Sequence, residues 1–138
     1  MLRHALQTTR ALTAPRFAAQ HARSFATGGR VKLLGSDDAY DQLTKAGSGK
    51  KAIVYFTAKW CPPCKMISPV YDELSSQYTD IEFAKVDVDE LDETAAKAGV
   101  RSMPTFYLFD NGTLQRGMSF SGADEALLRD VIKKLNDL

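Results

Sequence analysis

The sequence predicts an α/β fold, a central mixed sheet with helices on both faces. Three observations carry this prediction. Short apolar runs alternate with amphipathic stretches from residue 31 onward, and one of those runs is apolar without a break. The alternation ends in a hairpin signal followed by a last amphipathic stretch.

Val31–Leu34 reads as a short strand. Ser36 is placed to cap a helix that turns Ala39, Tyr40 and Leu43 inward and closes at Gly47. The unbroken run is Ala52-Ile53-Val54-Tyr55-Phe56, which suits a central strand buried on both faces. A helix follows from Cys61 to about Tyr78, with Met66, Ile67, Val70, Tyr71 and Leu74 at helical spacing. Pro69 lies inside it and should kink it, because it has no N–H for the Lys65 carbonyl. Ile81–Val86 is a further strand, and Leu91–Ala98 a short helix ended by Gly99. Asn111-Gly112 joins Thr105–Phe109 and Thr113–Met118 as a hairpin. The last helix should bury Leu127, Leu128, Val131, Ile132 and Leu135.

A length of 138 residues is about one domain, and no run of about 18 apolar residues suggests a membrane span. The net charge of +1 averages two unlike pieces. Residues 1–30 hold Arg3, Arg10, Arg16, Arg23 and Arg30 and none of the 17 acidic residues. The remainder is therefore net acidic, which argues against nucleic acid as a partner. Both histidines, His4 and His21, also lie in the first piece, so the domain can build neither a Cys–His dyad nor a Ser–His–Asp triad. Its two cysteines are too few for a Cys-rich zinc site.

In residues 1–30, Leu2, Ala5, Leu6, Thr9, Leu12 and Thr13 share one helical arc, with Arg3, Gln7 and Arg10 opposite. An amphipathic, arginine-rich, acid-free segment is the pattern of an organelle transit peptide, and it lacks the apolar centre of a secretory signal. Arg23-Ser24-Phe25-Ala26 is similar to a mitochondrial processing site, and the single serine favours the mitochondrial matrix over the plastid. Gly28-Gly29 would supply a flexible joint, so the expected organisation is a presequence and joint over 1–30 and a domain over 31–138.

The chemistry points to Trp60-Cys61-Pro62-Pro63-Cys64-Lys65. A bare C-x-x-C is a weak signal, but this one follows the buried strand and opens the next helix, at the sheet edge where α/β sites gather. A cysteine at a helix N-terminus has its thiolate stabilised by unpaired N–H groups and the positive end of the dipole. Residues three apart within a helix stand about 5–6 Å apart at Cβ, too far for a disulfide. Cys61 should therefore take the non-helical cap, with Pro62 in the first turn, where no N–H is needed. Cys61 is then the exposed attacking thiol and Cys64 the resolving one. A purely structural staple is disfavoured, since so small a loop returns the least stabilisation.

The segment Phe56-x-Ala58-x-Trp60-Cys61-x-Pro63-Cys64-Lys65-Met66-Ile67-x-Pro69 resembles the active-site segment of the thioredoxin family. Met103-Pro104-Thr105, Lys85-Val86-Asp87-Val88-Asp89 and Phe120-Ser121-Gly122-Ala123 also match it, so the resemblance covers about residues 31–138. It implies the thioredoxin fold and a Cys61–Cys64 dithiol that reduces protein disulfides. It also implies supporting or substrate-binding roles for Trp60, Pro62, Pro63, Met103, Pro104 and Lys85. Trp60 would pack beside Cys61 and Pro104 would be cis, facing the disulfide, with the Met103 backbone pairing with substrate like an added strand. No bound cofactor or metal is implied. NADPH and FAD would serve a partner thioredoxin reductase, and disulfide-containing proteins such as peroxiredoxins and methionine sulfoxide reductases would be the substrates of a monomer away from nucleic acid and membrane.

Two positions depart from that pattern. Pro62 stands where the family usually has glycine, which predicts a shifted redox potential. Tyr55 stands where the family usually has a buried aspartate that takes the proton from the resolving thiol. A phenol is a poor base at neutral pH, so Tyr55 is not assigned a catalytic role, and Lys85 is left to act through water. A disulfide oxidase or isomerase and a redox-independent adaptor subunit are the competing functions. The missing secretory signal weighs against the first, and a Cys61→Ser, Cys64→Ser variant would discriminate the second.

Overall fold

The computed structural model describes residues 29–138. The transit-peptide assignment, apart from its last two residues, lies outside the described residues.

The sheet is built on strand β2 (Lys51–Thr57), whose residues Ala52–Phe56 are at most 1% exposed. β3 (Ile81–Asp87) pairs with it in parallel and β4 (Thr105–Asp110) antiparallel. β1 (Lys32–Leu33) lies outside β3 in parallel, while β5 (Thr113–Leu114) and β6 (Phe120–Ser121) both pair with the outer edge of β4. The mixed sheet of the sequence reading is thus present, and β2 is central in it.

Alternation along β2 divides the core in two. Ile53 and Tyr55 face α2 (Pro62–Gln77) and α4 (Glu125–Asn136), packing among Ile67, Tyr71, Leu74, Leu128, Val131, Ile132 and Leu135. Ala52, Val54 and Phe56 face the other layer, toward α1 (Asp37–Leu43) and α3 (Asp92–Lys97), with Tyr40, Leu43, Leu91 and Ala98. Helices therefore cover both faces, as expected.

Several details differ from the sequence reading. α1 ends at Leu43 rather than near Gly47: the Thr44 N–H makes the last helical bond, to the Tyr40 carbonyl, and the Gly47 N–H donates instead to the Asn111 carbonyl at 3.0 Å. Met66 points outward, 78% exposed, since the buried stripe of α2 runs Cys64–Ile67–Tyr71–Leu74. Leu127 is 37% exposed for the same reason: Leu128, Val131, Ile132 and Leu135 already fill the inward arc of α4. Of the strand expected over Thr113–Met118 only Thr113–Leu114 forms, as β5, and β6 follows beyond its expected end. Between them Gln115 and Ser119 step in, with the Gln115 N–H donating to the Leu108 carbonyl and the Ser119 hydroxyl accepting from the Leu108 N–H. The Asn111-Gly112 turn itself forms as expected, at φ 53° and 78°.

The first described residues belong to the packed structure. The Arg30 N–H donates to Ser75 Oγ at 2.7 Å, and Val31 packs against the α2–α4 core.

Candidate active site

β2 delivers the chain to the C-terminal edge of the sheet, where Ala58-Lys59-Trp60 turns and the Cys61 N–H closes onto the Ala58 carbonyl at 3.3 Å. Cys61 is extended (φ −96°, ψ 104°) and is the N-cap of α2. Its sulfur accepts the Cys64 N–H at 3.2 Å, one of the donors a helix start leaves unpaired. Pro62 and Pro63 occupy the first turn, exposed to solvent, where their missing N–H groups lose nothing. Cys61 and Cys64 form a disulfide with Cα atoms 5.3 Å apart, within the usual span.

One expectation is corrected here. Cys61, read as the exposed thiol, is only 3% exposed, hardly more than Cys64 at 1%. Its sulfur is turned inward to its partner and lies 3.6 Å from the Met103 carbonyl, which covers it from the other side.

The Met103–Pro104 peptide bond is cis, and Pro104 is buried. The Pro104 carbonyl accepts from the Gly122 N–H at 2.8 Å, so the loop entering β4 is tied to the residue after β6. Thr105 Oγ1 reinforces it from inside, 2.6 Å from the Ser102 carbonyl and 2.8 Å from Ser121 Oγ. Trp60 sits at the rim, 63% exposed, with its indole N–H donating to Asp89 Oδ2 at 2.8 Å. The turn that carries Asp89 is set by the Asp89 N–H donating to Asp87 Oδ1 at 2.9 Å.

Lys85 lies on β3 in register with Tyr55, on the same face of the sheet. With Leu33, Thr57, Ala58, Lys59, Asp87 and Glu90 it lines a cleft of about 240 Å³ at the ends of the parallel strands. Tyr55 itself is 1% exposed, and burial raises its phenol above the ordinary pKa of 10. It stays protonated across the physiological range and so cannot serve as a base there. Its hydroxyl is 2.9 Å from the Cys64 carbonyl and 3.0 Å from Ser68 Oγ. Asp72, one turn further along α2 than Ser68, has its carboxyl pKa raised by burial and partly offset by the charge of Lys85.

The structure thus gathers Trp60, Cys61, Cys64, Met103 and Pro104 at one edge of the sheet, while Lys85 lines the separate cleft beside Thr57 and Ala58. Sequence reasoning missed Ser68 and Asp89. Ser68 had a readable signal, since a serine four residues after Cys64 can back-bond its carbonyl. Asp89 was legible only as a member of the matching Lys85–Asp89 segment, its role hidden because its partner lies 29 residues away on another loop. Among the described residues no three or more His, Cys, Asp or Glu side chains gather as a metal ion would need.

The arrangement can form and break one S–S bond reversibly, with the helix dipole and the Cys64 N–H directed at the Cys61 sulfur. Comparisons with known proteins agree with this chemistry. The thioredoxin family profile matches residues 31–134. The chain is 39% identical to the thioredoxin of Homo sapiens, over 76% of this chain and 98% of that one. It is 41% identical to that of Geodia cydonium, over 75% and 97%. The crystal structure of Schistosoma mansoni thioredoxin superposes with a TM-score of 0.69 at 41% identity, covering 76% of this chain and 94% of that one. Sequence, fold and the capped Cys61–Cys64 disulfide together place this chain in the thioredoxin family, whose work is protein-disulfide reduction.

Proposed function

We propose that the chain is the thioredoxin of the mitochondrial matrix, imported through a presequence within residues 1–30 and working as a monomeric domain over 31–138. A thioredoxin reductase carrying FAD and using NADPH returns its disulfide to the dithiol. Its substrates are disulfide-bearing proteins of the peroxiredoxin and methionine sulfoxide reductase kind.

In the forward reaction the Cys61 thiolate attacks one sulfur of the partner's disulfide, forming a mixed disulfide and expelling the partner's other sulfur as a thiolate. Cys64 then loses its proton and its thiolate attacks the Cys61 sulfur. The Cys61–Cys64 bond forms, the mixed disulfide breaks, and the partner leaves with two electrons and two protons gained. Met103 offers its backbone to an extended partner segment beside the sulfurs, Pro104 holds that backbone in place, and Trp60 shapes the rim. Lys85, in register with Tyr55 on the adjacent strand, acts on the Cys64 proton through water.

The observation that carries this reading is the cap geometry: the Cys61 sulfur accepts the Cys64 N–H at the start of a 16-residue helix. The arginine-rich, acid-free character of residues 1–30 supports the matrix address. The test is insulin reduction driven by NADPH and a mitochondrial thioredoxin reductase, together with imaging of residues 1–30 fused to a fluorescent protein. NADPH oxidation that disappears in Cys61→Ser, and a fusion that enters the matrix, are the expected results. A fusion delivered to plastids or left in the cytosol overturns the address.

A further inference from the structure

Beneath the resolving cysteine lies a polar cluster that the thiol–disulfide chemistry above does not use. Tyr55 Oη is 2.9 Å and Ser68 Oγ 2.8 Å from the Cys64 carbonyl, and the two hydroxyls are 3.0 Å from each other. Two hydroxyl hydrogens serve three close pairs, so the triangle is closed on one carbonyl. The Tyr55 ring cannot swing away. It stacks on Phe106 at 4.9 Å and meets Tyr71 edge-on at 5.0 Å.

The position of this triangle in α2 is informative. Pro69 has no N–H, so the Lys65 carbonyl, immediately after that of Cys64, receives no i+4 donor. The helix ladder is interrupted where the first turn, which carries Cys64, joins the rest of the helix. A turn bearing a reacting thiol and lacking a ladder bond is free to shift unless something else holds it.

We propose that Tyr55 and Ser68 are positioning residues for the resolving step, bracing the first turn of α2 against β2 so that Cys64 is held at attacking distance from the Cys61 sulfur. The brace stands where the family usually places a buried carboxylate, and it supplies geometry instead of a base. Holding two reacting groups in place raises their effective concentration, which speeds ring closure and stabilises the closed disulfide. The attack of Cys61 on a partner, made from the cap side, does not depend on it. The proposal rests on Cys64 being the resolving thiol, which is checked separately by the stable mixed disulfide that Cys64→Ser should accumulate.

The test compares wild type with Tyr55→Phe, Ser68→Ala and the double variant in stopped-flow reaction with glutathione disulfide. Tyr55→Phe keeps the ring and removes only the hydroxyl. In the double variant the first step should stay within twofold of wild type, while resolution of the mixed disulfide with glutathione slows about tenfold. The equilibrium constant for closing the disulfide against glutathione should fall about tenfold, which makes the couple about 30 mV less reducing. Ser68→Thr retains the hydroxyl and should restore the resolution rate in an otherwise wild-type chain. Equal slowing of both steps would mean loosened packing rather than positioning and overturns the proposal. Unchanged resolution with an unchanged potential overturns it as well.

Discussion

The indole N–H of Trp60 donates to Asp89 Oδ2 at 2.8 Å, linking the turn before the cysteines to the turn after β3. The ring it fixes is 63% exposed, so the bond does not serve the core. It holds one large aromatic face ready for a partner. Immobilising such a side chain at binding costs about 0.5–1.5 kcal/mol when it is not already ordered. Asp89→Ala should therefore raise KM for a protein disulfide by roughly two- to tenfold and leave kcat nearly unchanged. Asp89→Asn keeps an acceptor oxygen and should stay near wild type. Steady-state insulin reduction separates the two, and a fall in kcat alone would contradict the assignment.

Tyr55 stays protonated at every physiological pH, because burial raises its phenol above 10. No group at this position titrates with the resolving step. The rate of resolution should rise smoothly with pH, following ionisation of Cys64 alone. In Tyr55→Asp a carboxylate appears in register with Lys85 and introduces an additional, lower inflection. A positioned base is worth about 10²-fold or more, which outweighs the roughly tenfold loss of the brace, so turnover at neutral pH should rise. The cost appears in stability. The variant gives up the stacking on Phe106 and places a carboxyl in the core, which should lower stability by about 3–5 kcal/mol. Stopped-flow pH profiles and denaturant melts measure both effects, and an unchanged profile would contradict the kinetic part.

Pro62 sits at the first helical position, exposed and in a conformation the ring favours. Its effect lies in the reduced state, where a rigid residue between the thiols limits the conformations that closing the disulfide must remove. Replacing it by glycine restores that freedom, worth about 0.4–1 kcal/mol by analogy with unfolded chains. Pro62→Gly should make the couple less reducing by about 10–20 mV. Equilibration with glutathione reads this directly, and a shift toward stronger reduction would refute the entropic account.

Much of this was legible from pattern because it rests on local periodicity. Ala52–Phe56 is apolar without a break and is central in the sheet; Asn111-Gly112 adopts the two positive φ values of its turn. Cys61 occupies the non-helical cap because two helical positions three apart cannot bridge. The misreadings have a common cause. Met66 and Leu127 have helical spacing, yet each helix has one narrow inward arc, and which apolar residues fall within it is decided by the surface it meets. The break between β5 and β6 depends on Ser119 reaching Leu108 across the turn, which no strand pattern announces. The same holds at the site. The Cys61–Cys64 pair is a contiguous motif, whereas Tyr55–Ser68 and Trp60–Asp89 join different elements, 13 and 29 residues apart.

Asp72 gives the last prediction. Its carboxyl pKa is raised, chiefly by burial and against the opposing charge of Lys85, in a neighbourhood that also holds Tyr55 and Tyr71. A carboxyl whose pKa is higher folded than unfolded binds its proton more tightly in the native state. Its stabilising contribution is therefore fully present below the unfolded value and is lost as pH rises through the folded one. At neutral pH the folded chain bears the cost of a charged, half-buried Asp72. Asp72→Asn removes that charge, so it should raise the melting temperature at pH 7. The advantage should shrink as the pH is lowered through the carboxylate range and vanish once Asp72 is protonated in both states. Thermal melts of the two proteins at pH 7, 5 and 3 test this. A variant less stable than wild type at pH 7 would show instead that attraction to Lys85 outweighs burial at this position.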